Sequence, residues 1–212
     1  ILLSCAAHVL TSVHADDFSG ALVRTTALEP LLKLFNVLES RLQSQVQCEF
    51  STIVEADEKI TSPKFVYAHL FVPHPPYIFG RNGEQVSGGT STTDYSLENR
   101  YVDQSVYVSK LLEEVIDGLL ADPTYEPVII IQADHGTAFG DGGYSDDNYL
   151  ERMGILNAYH LPRGGNEDLY PSITPVNSFR VVLNRYFGTG LELLPDTSYF
   201  TNSGLGKFNF RD

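Results

Sequence analysis

Positive charge and cysteine are both scarce in this sequence, and no apolar run is long. Lys and Arg number 14 against 27 Asp and Glu, giving a net charge of −13. A surface this acidic repels a polyphosphate backbone and no basic stripe offsets it, so nucleic acid is excluded as a partner. An acidic chain that handles an anionic ester needs a cation or local donors against its own field. The two cysteines, Cys5 and Cys48, stand far apart without a CxxC or Cys/His pattern. They support neither a zinc ribbon nor a disulfide framework, and they fix no compartment. No stretch approaches the roughly 20 apolar residues that span a bilayer, so this chain is expected to be soluble. Internal repeats, low-complexity tracts, a GxSxG elbow and a GxxxxGK phosphate loop are also missing. The glycine-rich run from Gly140 to Asn148 has neither the alternating acids and terminal Glu of a calcium loop nor a GxGxxG spacing, and reads as a solvated lid.

What is present suffices for a full core. With 42% hydrophobic residues over 212 positions, one domain is expected. Residues 1–15 are apolar and end Val13-His14-Ala15, loosely like a signal peptide, but the basic start is absent. A core segment of a chain whose start lies upstream is the plainer reading. Thr26 and Glu29 form a capping box before Pro30, and Leu31, Leu34, Phe35, Leu38 and Leu42 then predict an amphipathic helix to about Val46. The cap explains Thr26 better than a role as nucleophile does, and Thr25 carries no stronger signal. After a polar stretch over residues 51–63, the run Phe65-Val66-Tyr67-Ala68-His69-Leu70-Phe71-Val72 predicts a strand, stopped by Pro73-His74-Pro75-Pro76. Residues 80–93 read as a loop. A cap at Asp94 or Ser96 opens a helix to about Leu120, with Tyr101, Val108, Leu111, Leu112, Val115, Ile116 and Leu119 on one face. The apolar run ending at Ala133 then predicts a strand buried on both faces, as in parallel sheets. A loop over 136–148, a strand over 154–160 and a helix over 175–187 closed by Gly188 complete the pattern. Strand, helix, strand in this order implies an α/β fold with a mostly parallel sheet.

Asp134-His135-Gly136 falls just past the carboxyl end of the second strand, where ligands bind in such sheets. A carboxylate and an imidazole together suit zinc or manganese ahead of calcium or magnesium, which prefer all-oxygen shells. On the dipeptide alone, Asp134 capping the next turn and His135 packed and hydrogen-bonded is the plainer alternative. His74 weighs against it, because a second histidine stands at a strand end in a stiff proline context, placed to donate to an anionic oxygen or act as general acid. His69 lies within the first strand, where a hydrogen-bonded core histidine is the plain reading. It is carried beside His74 as a candidate substrate-binding residue. His8, His14 and His160 have no spacing that argues for a site.

Taken together, residues 64–69 leading into Pro73-His74-Pro75-Pro76, the helix around Tyr101-Val102-Asp103-Gln104, the run 129–136, Ile155-Leu156-Asn157-Ala158-Tyr159 and residues 173–180 resemble the C-terminal half of sulfatase-like proteins of the alkaline phosphatase superfamily. Within it the sequence is distantly similar to lipoteichoic acid synthases and phosphoethanolamine transferases. The resemblance implies a three-layer α/β/α fold, present here as a partial domain. It implies Asp134 and His135 as metal ligands, His74 on the transferred sulfate or phosphate, and an anionic ester on a small molecule or on a lipid or glycan head group. It further implies a cell-envelope enzyme, extracytoplasmic and membrane-anchored through segments outside this sequence. Such enzymes carry a first metal-binding acid and a nucleophile upstream of these motifs. Neither is found between Ile1 and Pro63, so the chain alone is expected to be inactive. His135, where formylglycine sulfatases usually carry Asn, tilts the reading toward a transition metal and phosphoryl chemistry. The alternatives are a phosphoglycerol or phosphoethanolamine transferase, or a non-catalytic binding domain of the same fold.

Overall fold

A computed structural model of the chain describes residues 37–61, 63–86, 97–137, 139, 146–201 and 210–211. The lid over 140–145 and the cap at Thr26 lie outside these residues. The chain divides into two compact units, Ile1–Asp122 and Pro123–Asp212.

In the first unit, helix α1 (Val37–Lys59) packs against helix α2 (Leu97–Leu119). Gln104, Val108, Leu111 and Val115 are buried on α2, a spacing of three to four residues that sets one stripe inward. Val108, Leu111 and Val115 meet Phe50 of α1, with Val46, Ile53 and Val54 around them. Each such side chain, fully buried, contributes about 1.5–3 kcal/mol. Helix α1 continues 13 residues beyond the expected end at Val46, because the polar stretch Ser51 to Lys59 contains good helix formers and an i,i+4 Glu55–Lys59 ion pair at 3.0 Å. Cys48 on α1 is disulfide-bonded, which corrects the expectation drawn from cysteine spacing. Cys5 lies outside the described residues.

Residues 65–71 form no ladder, contrary to the strand expected there. Phe65, Tyr67 and Phe71 are 78%, 76% and 66% exposed, while Leu70 and Val72 touch the α1–α2 core. With no neighbouring strand to receive its backbone groups among the described residues, an apolar run of high β propensity stays unpaired. After the proline turn, Ile78 and Val86 close a small hairpin around a Phe79–Gln85 bridge.

The second unit is built on strands β1 (Ile129–Gln132) and β2 (Asn157–His160), with helix α3 (Asp146–Met153) between them. The pair is antiparallel, Ile129 opposite His160 and Gln132 opposite Asn157. Ile129, Ile130 and Ile131 are half-buried, not enclosed on both faces as the apolar run predicts. One face of the pair is covered: Ile130 and Tyr159 pack on Leu161, Val181 and Val182. Val181 and Val182 belong to helix α4 (Pro175–Phe187), preceded by the 3₁₀ turn Gly165–Asp168. Helix α4 has the predicted bounds. Pro175 opens it, and Gly188 closes it at φ 63°, a left-handed conformation that glycine adopts without strain. A second antiparallel pair joins β3 (Phe200–Thr201) to β4 (Phe210–Arg211). Both sheets of the described residues are thus two-stranded and antiparallel, and the mostly parallel three-layer arrangement is not seen among them. Among the described residues no helix is long and apolar enough to cross a membrane.

Candidate active site

Asp134 and His135 stand where β1 ends. One carboxylate oxygen of Asp134, Oδ1, accepts the backbone N–H of His135 at 3.0 Å and so caps the turn. The other, Oδ2, lies 3.5 Å from His135 Nε2. On the far side of the ring, Nδ1 lies 2.9 Å from the carbonyl oxygen of Gly136. A carbonyl can only accept, so Nδ1 donates this bond, which holds the ring with Nε2 turned to the carboxylate. The cap and the hydrogen-bonded ring are the features of the plainer alternative, although at 39% exposure His135 is not closely packed, and Asp134 is 83% exposed.

Tetrahedral zinc with ligands at its usual bond lengths spaces them about 3.3 Å apart, close to the separation found here. The carboxylate and imidazole therefore fit a divalent cation as two of its ligands. Among the described residues no group of three or more His, Cys, Asp or Glu side chains converges, so this pair is not a complete shell.

Gly136 is required by close approach. A Cβ there would lie 2.1 Å from the Glu151 carbonyl and 2.5 Å from that of Gly154. The end of α3 grips this segment: Gly136 N–H donates to Arg152 O at 2.7 Å, and Arg152 Nη1 donates to Gly136 O at 3.1 Å. Glu151 receives the Thr137 hydroxyl and the Phe139 N–H, bonds that hold its carboxyl below the usual range. An open cleft of about 930 Å³ runs from Asp134, His135 and Arg152 past Asn157 to Tyr159, Tyr170 and Ile173. Asn157 Oδ1 is buried beside it, without a hydrogen-bond partner among the described residues.

The histidines of the other motif lie in the first unit. His74 is exposed, with its N–H bonded to Phe71 O at 2.9 Å and Nδ1 2.7 Å from the Pro75 carbonyl. As with His135, the carbonyl can only accept, so Nδ1 donates this bond. The turn includes cis peptide bonds at Val72-Pro73 and Pro75-Pro76. His69 is exposed and stacks on Phe71 with ring centroids 4.9 Å apart, so it is not a core histidine.

The residue that fixes the His74 turn is Gln104 of α2, fully buried. Its Oε1 accepts the N–H groups of Ile78 and Phe79 at 2.9 and 3.2 Å, and its Nε2 donates to the carbonyls of Pro73 and His74 at 3.1 and 3.3 Å. Sequence reasoning quoted Gln104 without giving it a role. Its signal was a polar residue at a core position of the α2 stripe.

A family model described as Sulfatase matches residues 37–179, about two thirds of the chain, and the chain belongs to that family. Membership places it among sulfatase-like hydrolases of the alkaline phosphatase superfamily, with an alkaline phosphatase-like α/β fold and, in general, use of a divalent metal. No curated protein and no solved structure matches the chain.

Proposed function

We propose that this protein acts on a sulfuric or phosphoric ester with a divalent metal, zinc or manganese ahead of calcium, and that Asp134 and His135 are two of its ligands. The observation that carries the reading is the fixed His135 ring, whose Nε2 lies 3.5 Å from Asp134 Oδ2. A bound divalent cation supplies Lewis-acid polarisation of the ester and offsets negative charge in a chain of net charge −13. Asp134 keeps one oxygen on the turn and the other toward the cation, so binding need not disrupt the backbone. His74 is the proposed contact to the transferred group, with His69 a further substrate contact in the same unit. The remaining ligand and the nucleophile are assigned to residues outside those described, and without them the described part is inactive.

The tyrosines and prolines along the cleft suit the uncharged alcohol half of the ester, on a small molecule or a lipid or glycan head group. An extracytoplasmic, envelope location is supported by the disulfide at Cys48, a bond that persists in oxidising compartments. Calorimetric titration of the intact protein with zinc and manganese tests the ligand pair. Asp134→Ala and His135→Ala are each expected to weaken metal binding by more than the roughly 10–100-fold that loss of an outer-shell partner costs. Unchanged affinity in either variant removes that residue from the shell.

A further inference from the structure

Arg152 lines the cleft together with Asp134 and His135. It is half-buried at the end of α3, and Nη1 donates to the Gly136 carbonyl at 3.1 Å, the same oxygen that receives His135 Nδ1 at 2.9 Å. The guanidinium is therefore anchored within two hydrogen-bond lengths of the His135 ring. It makes no ion pair among the described residues, and one of its five N–H donors is engaged. Half-burying a cation without a counter-charge is costly, and a planar fork of unused donors matches a tetrahedral oxyanion. Two other arginines of this unit pair with carboxylates, Arg163 with Glu126 at 2.9 Å and Arg185 with Asp168 at 3.5 Å, while Arg180, outside the cleft lining, donates to the Glu192 carbonyl at 2.9 Å. The acidic carboxylate at the cleft mouth would repel an anionic ester unless a cation stood beside it.

We propose that Arg152 docks the anionic group of the ester, binding its non-bridging oxygens through the donors that Gly136 leaves free. The inference rests on the functional reading above and adds a substrate contact to it. The anchoring bond keeps the guanidinium in place before substrate arrives, so little side-chain freedom is lost on binding.

The test is competitive inhibition of the metal-loaded intact protein by inorganic phosphate and inorganic sulfate, with zinc affinity measured on the same samples. Arg152→Gln is expected to weaken inhibition roughly tenfold to a hundredfold, the range of a charge-assisted hydrogen bond, while zinc affinity stays within about threefold. Arg152→Lys keeps the charge without the fork and is expected to fall between. Unchanged inhibition by both anions overturns the proposal. Parallel loss of anion and zinc affinity also overturns it, since Arg152 would then act only by clamping Gly136. If Arg152→Gln fails to fold, Arg152→Lys decides, and wild-type inhibition in that variant overturns the proposal. Failure of the underlying reading is separate: Asp134→Ala would then retain wild-type zinc affinity.

Discussion

Gln104 holds four backbone groups at once, and no other side chain could replace it there without loss. Leucine matches its bulk, but Gln104→Leu leaves two amides and two carbonyls of the His74 turn without their partner. The expected cost is about 2–4 kcal/mol, read as a lower urea midpoint with an unchanged slope. A loss below about 0.5 kcal/mol would mean that water replaces these bonds freely. At this scale the legible residues were those whose chemistry is local. Asp134 and His135 are adjacent in sequence and end an apolar run, so their pairing needs no tertiary contact to be read. Gln104, Arg152 and Asn157 gain their meaning from neighbours 16 to 31 residues away. Spacing along one chain carries no sign of such partners.

The elements divide by the same logic. Helices α2 and α4 were legible from the period of their apolar residues, and α4 also from Pro175 at its start and Gly188 at its end, while the α2 cap expected at Asp94 or Ser96 lies outside the described residues. The start of α4 shows what was not. Thr174 is its N-cap, yet makes no side-chain cap bond; its hydroxyl and N–H both go to Asp196, at 2.6 and 2.7 Å, from 22 residues downstream. Buried Asn177 adds bonds to Tyr170, Leu194 and Asp196. The Thr174 hydroxyl, then Tyr170, lower the Asp196 pKa from 3.8 to about 2. The carboxylate therefore adds stability that is fully present above pH 3.8 and is lost as pH falls through about 2. Melting temperatures of wild type and Asp196→Asn between these limits are expected to converge as pH falls. Curves that stay parallel would remove Asp196 as the source. At the α3 end, Gly136→Ala must displace the Glu151 and Gly154 carbonyls. It is expected to lower both melting temperature and zinc affinity, whereas an unperturbed variant would show that the grip on this segment is slack.

For the whole molecule, the strand order was the least legible feature. The run 65–72 and strand β1 have the composition of parallel strands, but composition does not supply the neighbours that a parallel ladder needs. Among the described residues the first run is unpaired and β1 takes an antiparallel partner, β2. The family match nonetheless spans both units, from residue 37 to 179. The proposed chemistry is metal-dependent and runs through Asp134. Turnover of aryl sulfate and aryl phosphate esters by the intact protein, with zinc, manganese and calcium supplied separately, tests it directly. The expected result is activity with zinc or manganese that falls about 100-fold or more in Asp134→Ala, the effect of removing one electrostatic stabiliser. Equal turnover in Asp134→Ala, or activity indifferent to chelation, would contradict it.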